Sequence, residues 1–521
     1  MKVASRPPPT TPPLHFQPNI RAAVRNKEKT YIVEFDGPDD PLNPLNWSVR
    51  RRVSATILLG LTTFVVTFAS SVFSAGLRVV AVEFNVSVEV ATLGTSLFVL
   101  GFAVGPLVWG PLSELFGRKW PLLLAYGVFA LLQIPVAVAT NIQSIMIFRF
   151  LGGVFASSPL GIVGGAMADM WTASYRAAAT AGFGFAVFVG PAMGPIAGGF
   201  ITQSYLGWRW TEHLTYILGF FFFAVDIVFL PETYAPVILK LKAKKLRHER
   251  QIWAIHARQE EKEISIKSIV VVYLLRPIKM LFLEPMIFLL SVYVSFVYGV
   301  VYLLFSAFPI AYQRVRGWND GIGALPFLAV TVGALIGCAV IVAFIPRYQR
   351  KVQASHGPVP EERMIPMMIG GVLFPIGLFW FSWTSYPTIS WVPQVLAGVP
   401  LGAGIVLIFL QVINYLIDAY LMHANSAIAA NTFMRSFFGA AFPLFATQRM
   451  SNPVLSNRTR LDRWLTWVLV FSRLGLTWGG SLLGFLAVAM MPIPFLFYRY
   501  GAQLRKMSKL APTPEPPYKL E

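Results

Sequence analysis

Apolar residues along this chain run in long unbroken blocks and do not alternate with polar ones. A helix crosses a bilayer with about 20 apolar residues, and the chain contains twelve blocks of that size. Six lie near 53–75, 91–111, 121–140, 144–167, 177–203 and 211–231. Six more lie near 285–311, 321–346, 364–384, 391–417, 425–447 and 474–498. Between the two sets, residues 232–284 are polar and highly charged. Pro and Gly occur inside the blocks, as at Gly194-Pro195 and Pro375. Membrane bundles tolerate them because neighbouring helices re-satisfy the freed backbone groups. The pattern predicts an all-α polytopic membrane protein with two six-helix halves, 51–231 and 285–498, joined by a linker. Such a plan places a substrate site between the halves.

Composition narrows this further. Only 13% of the 521 residues are charged and 55% are hydrophobic, with a mean hydropathy of +0.61. Soluble domains carry about a quarter charged residues, so an ordinary soluble enzyme and a disordered chain are both excluded. A transmembrane barrel would alternate polar and apolar positions. The single cysteine, Cys338, excludes a disulfide framework and a cysteine-based zinc site. The net charge of +19 would suggest nucleic acid on a soluble protein. On a membrane protein it reads as basic residues that hold loops on the cytoplasmic side.

The linker carries Lys240, Lys242, Lys244, Lys245, Arg247, Arg250, Arg258, Lys262 and Lys267, which places it in the cytoplasm with both termini. Lys240–Arg250 suits an amphipathic helix along the membrane surface and equally a solvated charged segment. Residues 1–50, with the Pro-rich run Pro7–Pro13, read as a largely disordered cytoplasmic tail, and 499–521 as a second tail.

Several polar positions carry chemistry. The loop after the second block reads Gly110-Pro-Leu-Ser-Glu-Leu-Phe-Gly-Arg-Lys-Trp-Pro-Leu122. Its Gly and Pro permit a tight turn, and Glu114, Arg118 and Lys119 can pair with groups that approach in one conformation. Arg149 sits in the apolar string Ile145-Met-Ile-Phe-Arg-Phe-Leu-Gly-Gly153. A bare arginine there costs about 3 kcal/mol or more, so it is either functional or bonded to backbone carbonyls. Asp226 precedes Pro231 by five residues, about 7–8 Å of helix. It either reaches the interface or is a protonatable coupling site, because an apolar setting disfavours a bare charge. The fifth block holds Gly190-Pro-Ala-Met-Gly194-Pro195-Ile-Ala-Gly198-Gly199, small residues that let helices approach. Arg435 lies within the eleventh block. Polar candidates for an apolar cavity are Gln133, Tyr293, Tyr298, Gln394, Gln411, Asn414, Asn431 and Arg435.

These strings resemble the major facilitator superfamily. The 110–122 loop is similar to that family's signature loop G-x-L-a-D-r-x-G-r-K, with Gly110, Glu114, Gly117, Arg118 and Lys119 in its positions. The fourth block resembles the R-x-x-x-G motif, which implies proton transfer at Arg149. The fifth resembles the antiporter motif G-x-x-x-G-P-x-x-G-G. Asn43-Pro-Leu-Asn-Trp47, Pro231-Glu-Thr-Tyr-Ala-Pro236, Asn414-Tyr-Leu-Ile-Asp-Ala-Tyr420 and Asn431-Thr-Phe-Met-Arg-Ser-Phe-Phe-Gly439 look like the fungal twelve-span drug:proton antiporter branch. The likeness spans about residues 40–508. It implies the major facilitator fold and a pair between Asp169 and Arg118 that latches a gate when the cavity faces outward.

The absence of a Gly-Lys dipeptide excludes a P-loop, and no His-Glu-x-x-His motif occurs. No cofactor is expected; the energy source is an ion gradient, expected to be that of protons, or the substrate's own gradient. The expected activity is export of a small lipophilic drug, toxin or secondary metabolite in exchange for protons. Import of a nutrient such as a polyamine or sugar, by symport or facilitation, is the alternative; a membrane enzyme lacks a catalytic constellation. The expected partners are the organic substrate, protons and the bilayer, with no nucleic acid, and the chain is expected to act as a monomer. The expected location is the plasma membrane, or else a vacuolar or vesicular membrane. One segment departs from the family pattern. Residues 449–473 form an atypical outer loop with Arg449, Arg458, Arg460, Arg463 and Arg473 against Asp462, the wrong bias for an outer loop. Its run Trp464–Phe471 is too short to span. About residues 450–472 read as an insertion with no transport role, as translated intron, or as an ordinary variable loop.

Overall fold

The structure is a computed structural model that describes residues 31–261, 275–355, 358–447, 470–508 and 510. Among these, eleven helical spans are long and apolar enough to cross a membrane: α1 Val49–Glu83, α2 Val88–Phe116, α3 Lys119–Ala137, α4 Ile142–Met170, α5 Tyr175–Gln203, α6 Arg209–Phe229, α7 Pro285–Val315, α8 Ile322–Ser355, α9 Pro360–Trp383, α10 Trp391–Tyr420 and α12 Gly475–Met507. Between the last two lies α11, Ala424–Thr447, long enough to span at 24 residues. Its hydropathy is diluted by Asn425, Ser426, Asn431, Thr432, Arg435 and Ser436. Twelve membrane helices among the described residues therefore build the fold.

Local chemistry sets the helix ends. Ser48, Ser87 and Asn141 accept the backbone N–H three residues on, at 3.4, 3.3 and 2.8 Å, and so cap α1, α2 and α4. Gly117 stops α2 with φ of 90°, and Gly207 turns the chain into α6 with φ of 71°. Several helices overrun the expected blocks: α8 continues through Arg347, Arg350 and Lys351. Its 34 residues span about 50 Å at 1.5 Å each, so its charged last turns extend past a hydrocarbon core of about 30 Å.

Within the first half, α1 packs on α5, α2 on α4 and α3 on α6; within the second, α7 packs on α11, α8 on α10 and α9 on α10 and α12. Two seams join the halves, α2 against α11 and α5 against α8. The largest apolar core runs through the second half and takes in Ala181, Val187 and Phe188 of α5.

The chain divides into two compact units, Trp47–Tyr234 with Ser265–Glu521, which is the bundle, and Met1–Asn46 with Ala235–Ile264. Within the tail expected to be largely disordered, residues 31–46 are structured against part of the linker. Val33 N donates to His256 O at 2.9 Å, and Lys242 Nζ pairs with Asp36 at 2.8 Å and Asp40 at 3.4 Å. The backbone N–H groups of Asp36 and Leu42 hold the Asp40 carboxyl below the usual carboxylate range. The expected helix over 240–250 is present and begins earlier, as Ala235–Arg250. Val33, Leu239, Leu246 and Ile255 share an apolar cluster in this unit, which anchors the linker to residues far away in sequence. Residues 1–30, the atypical segment as far as 469 and the end of the C-terminal tail lie outside the described residues.

Candidate functional site

The deepest charges lie in the first half. Arg149 on α4 and Glu212 on α6 are both fully buried, with Arg149 Nη1 3.2 Å from Glu212 Oε1. Arg149 Nη1 also donates to Ala69 O at 3.1 Å and Nε to Gly94 O at 3.2 Å. Its guanidinium sits over the rings of Phe73 and Phe98 at 4.8 and 4.6 Å. The carbonyl bonds expected of a structural arginine are present, and an ion pair with Glu212 stands beside them. Glu212 was missed in the sequence: as the second residue of its block, three after Arg209, it looks interfacial. Nearer the other end of α6, Asp226 is also fully buried and accepts a 2.7 Å hydrogen bond from Thr62 on α1. Its helix position alone suggested the interface; the packing of α1 against α6 covers it.

The 110–122 string, expected as a loop, is helical as far as Phe116 and again from Lys119, so only Gly117 and Arg118 join α2 to α3, at one end of the bundle. Arg118 Nε lies 3.0 Å from Asp169 Oδ2, and Arg118 Nη1 donates to Ser113 Oγ at 2.8 Å. The Glu232 carboxylate accepts the backbone N–H of Arg118 at 2.8 Å and of Lys119 at 3.1 Å. A β-carbon on Gly117 would stand 2.3 Å from Glu232 Oε2, so the loop and the end of α6 meet only around a glycine. The Arg118 guanidinium lies 4.7 Å above Tyr234, whose phenol burial pushes up. Lys119 Nζ donates to Ile227 O at 3.0 Å. Arg118 and Asp169 belong to the same half. At this end a polar contact between the halves joins Glu114 to Asn425 of α11. Gly110 has open space at its β-position.

The second half contains a counterpart that the sequence did not reveal. Arg363, just before the first α-helical turn of α9, donates through Nε to Asp418 Oδ2 near the end of α10 at 2.9 Å. Tyr348 OH donates to the same oxygen at 2.7 Å, and the guanidinium stacks 3.6 Å from the Tyr348 ring. Arg118 and Asp169 occupy the same places relative to α3 and α4. Glu361 pairs with Arg505 of α12 at 2.7 Å. Repeated architecture was the available signal, because the quoted string Asn414–Tyr420 already contained Asp418.

Between the halves lies a cavity with about 1130 Å³ of empty space, open solvent included. It reaches from Arg435 to Glu114 and Arg118 at the loop end, past Pro106, Leu410 and Asn414. The Arg118–Asp169 pair is intact beside it. A second cleft, lined by Arg78, Glu89, Gln313 and Asp320, opens at the opposite end. The halves touch between them: Ser70 Oγ and Tyr302 OH share a 2.9 Å hydrogen bond, and Phe188 meets Phe409 edge-on at 4.9 Å. Tyr298 OH and Tyr302 OH are 3.4 Å apart.

The α5 glycines form a seam. A β-carbon on Gly190, Gly194 or Gly198 would stand 2.0, 2.0 or 2.7 Å from Thr67, Ser71 or Val72 of α1. Gly199 faces Asp320 O of the other half, at 2.6 Å from such an atom. Pro195 lies inside the helix. Of the expected cavity residues, Asn414 and Arg435 line the cavity, and Tyr298 lies 5.2 Å from the Arg435 guanidinium. The rest sit elsewhere. Gln133 is buried within the first half, against Phe129 O, and Gln394 accepts from Arg316 at 2.7 Å. Gln411 lines a recess with Tyr348 and Arg363. Tyr293 is core, and Asn431 donates to Ser291 Oγ at 3.2 Å. Helical facing, which a list of polar residues does not encode, separates these groups.

Known proteins share this architecture. The Major Facilitator Superfamily model matches residues 59–443. The citrinin biosynthesis cluster MFS transporter mrr1 of Monascus ruber is 50% identical over 484 residues, 92% of this chain and 93% of that protein. The ascochitine biosynthesis cluster MFS transporter of Didymella fabae is 45% identical over 483 residues, 92% and 89% of the two chains. Among solved structures, the proton:xylose symporter XylE bound to 6-bromo-6-deoxy-D-glucose aligns with a TM-score of 0.59 at 16% identity. That alignment covers 87% of this chain and 96% of the other, and the likeness is one of fold.

Proposed function

The chain belongs to the major facilitator superfamily, and on that premise we propose that it is a proton-coupled antiporter exporting a small, largely apolar organic molecule. The observation that carries this reading is the fully buried pair of Arg149 and Glu212. A buried carboxylate with one oxygen, Oε2, lacking a partner among the described residues has room for a proton. Protonation turns Glu212 neutral and leaves the Arg149 cation without its countercharge in an apolar setting. That state is costly, so it favours a rearrangement of α4 against α6. Asp226 is a second buried carboxyl, with Oδ1 unpartnered among the described residues, that can take a proton near the other end of α6. The Ser70–Tyr302 contact is the barrier that alternating access would break and remake.

Export, not import, is supported by the glycine seam of α5, which resembles the antiporter motif, and by the relatives in biosynthesis clusters. A dedicated secondary-metabolite exporter fits both. In the proposed orientation, both termini and the linker lie in the cytoplasm of a plasma-membrane protein. Deleting the gene in its host, with and without a protonophore, tests the reading. The expected outcome is retention of a metabolite inside the deletion strain, and the same retention in wild type when the proton gradient is collapsed. Secretion unchanged by both treatments would overturn it.

A further inference from the structure

Nearly every guanidinium in the bundle interior has a carboxylate or carbonyls to meet it. Arg118 meets Asp169 at 3.0 Å, Arg149 meets Glu212 at 3.2 Å, Arg363 meets Asp418 at 2.9 Å and Arg505 meets Glu361 at 2.7 Å. Arg316 donates to Gln394 and to the carbonyls of Ile389 and Thr384. Arg435 is different. It is 4% exposed, and its Nε and Nη1 have no hydrogen-bond partner among the described residues. No carboxylate stands within ion-pair distance of it among those residues, and it lines the central cavity. What holds it is aromatic: the guanidinium lies 4.6 Å over Phe409 and 5.2 Å over Tyr298.

We propose that Arg435 is an anion-binding subsite, and that the molecules this transporter carries are organic acids whose carboxylate docks on its unpaired N–H groups. The inference rests on the reading of the chain as a small-molecule transporter and specifies the substrate class. Three features support it. A buried, unpaired cation is costly, and a ligand anion removes that cost as it binds. The guanidinium fork matches a carboxylate in a plane, which an ammonium would not. The rings already hold that fork in place, so little ordering remains when the anion arrives. The walls then suit an amphipathic acid. Val187, Leu410 and Ile413 offer an apolar surface to its body, and Asn414 and Thr432 offer polar contacts beside it.

The test is binding to the purified full-length protein in detergent, read by thermal unfolding with two probes of one shape, 1-naphthoate and 1-naphthamide. The expected result is stronger stabilisation by the acid than by the amide. Arg435→Gln should weaken apparent affinity for naphthoate by at least tenfold and leave the amide unchanged, with Arg435→Lys in between. Equal responses to the two probes, no response to either, or naphthoate binding undiminished in Arg435→Gln would each overturn the proposal. Should Arg435→Gln fail to fold, the wild-type comparison of acid with amide decides alone. Proton-driven movement of naphthoate in vesicles separates the two readings. Acid-selective binding without pH-driven movement would count against the proton-coupled exporter and leave the subsite standing.

Discussion

Glu212 and Arg149 neutralise each other where water does not reach, and this makes each dependent on the other. Breaking a buried pair from one side costs about 3–5 kcal/mol. Glu212→Gln should therefore lower the thermal stability of the purified protein and abolish proton-driven transport. The double variant Arg149→Gln with Glu212→Gln should recover much of the stability and none of the transport. Recovery of transport in the double variant would remove the pair from the coupling path. Asp226 is expected to behave differently, because Thr62 supplies a hydroxyl and not a countercharge. Asp226→Asn should keep that hydrogen bond and the folded yield, while the dependence of transport on outside pH flattens. An unchanged pH profile would assign Asp226 to structure.

At the scale of elements, the contact of α1 with α5 is set by backbone proximity. Gly194 has Val72 N and Phe68 O within 2.8 and 3.0 Å of where a β-carbon would stand, and a helix backbone cannot step aside as a rotamer can. Gly194→Val should cost about 1–3 kcal/mol by overpacking and reduce the yield of folded protein in size-exclusion chromatography. Yield and transport at wild-type level would show that α1 and α5 can separate freely. The turn at Arg363 makes a parallel case. Asp418 collects Arg363 and Tyr348 on one oxygen, so Asp418→Asn should slow transport several-fold, as Asp169→Asn should in the first half. Comparable losses from the two substitutions, measured as initial rates, are the expected signature of two equivalent corners.

For the whole molecule, alternating access requires the halves to part at each end in turn. Glu114 and Asn425 meet across the loop end. Cysteines in their places, in a background with Cys338→Ser, should form a cross-link that arrests transport, and reductant should restore it. Full transport by the cross-linked protein would exclude movement at this end. The same framework bears on residues 450–469, which lie outside the described residues. Deleting them should leave transport intact, since α11 and α12 are complete on either side. Loss of transport by a correctly delivered deletion protein would assign that segment a role.

Block length and spacing were enough to reveal twelve helices in two sets, because a bilayer imposes a minimum apolar length that any crossing helix must display in its own sequence. The family resemblance rested on the same footing: glycines at 117, 190 and 194 stand where backbone must come close, and local strings record that. Facing and depth were not recorded. Gln133 and Asn414 look alike in an apolar block, yet one is buried inside a half and the other lines the cavity. Glu212 was not singled out and is fully buried, while Asp226 looked near an end and is covered by α1. Arg149 and Arg435 were each visible as a lone cation, but the sequence could not say that, among the described residues, one has a carboxylate at 3.2 Å and the other has only rings. Those partners come from other helices: Glu212 is 63 residues from Arg149, and the rings over Arg435 belong to α7 and α10. In a medium where an unpaired charge is so costly, partnership, which only packing supplies, separates a structural cation from one that awaits a ligand.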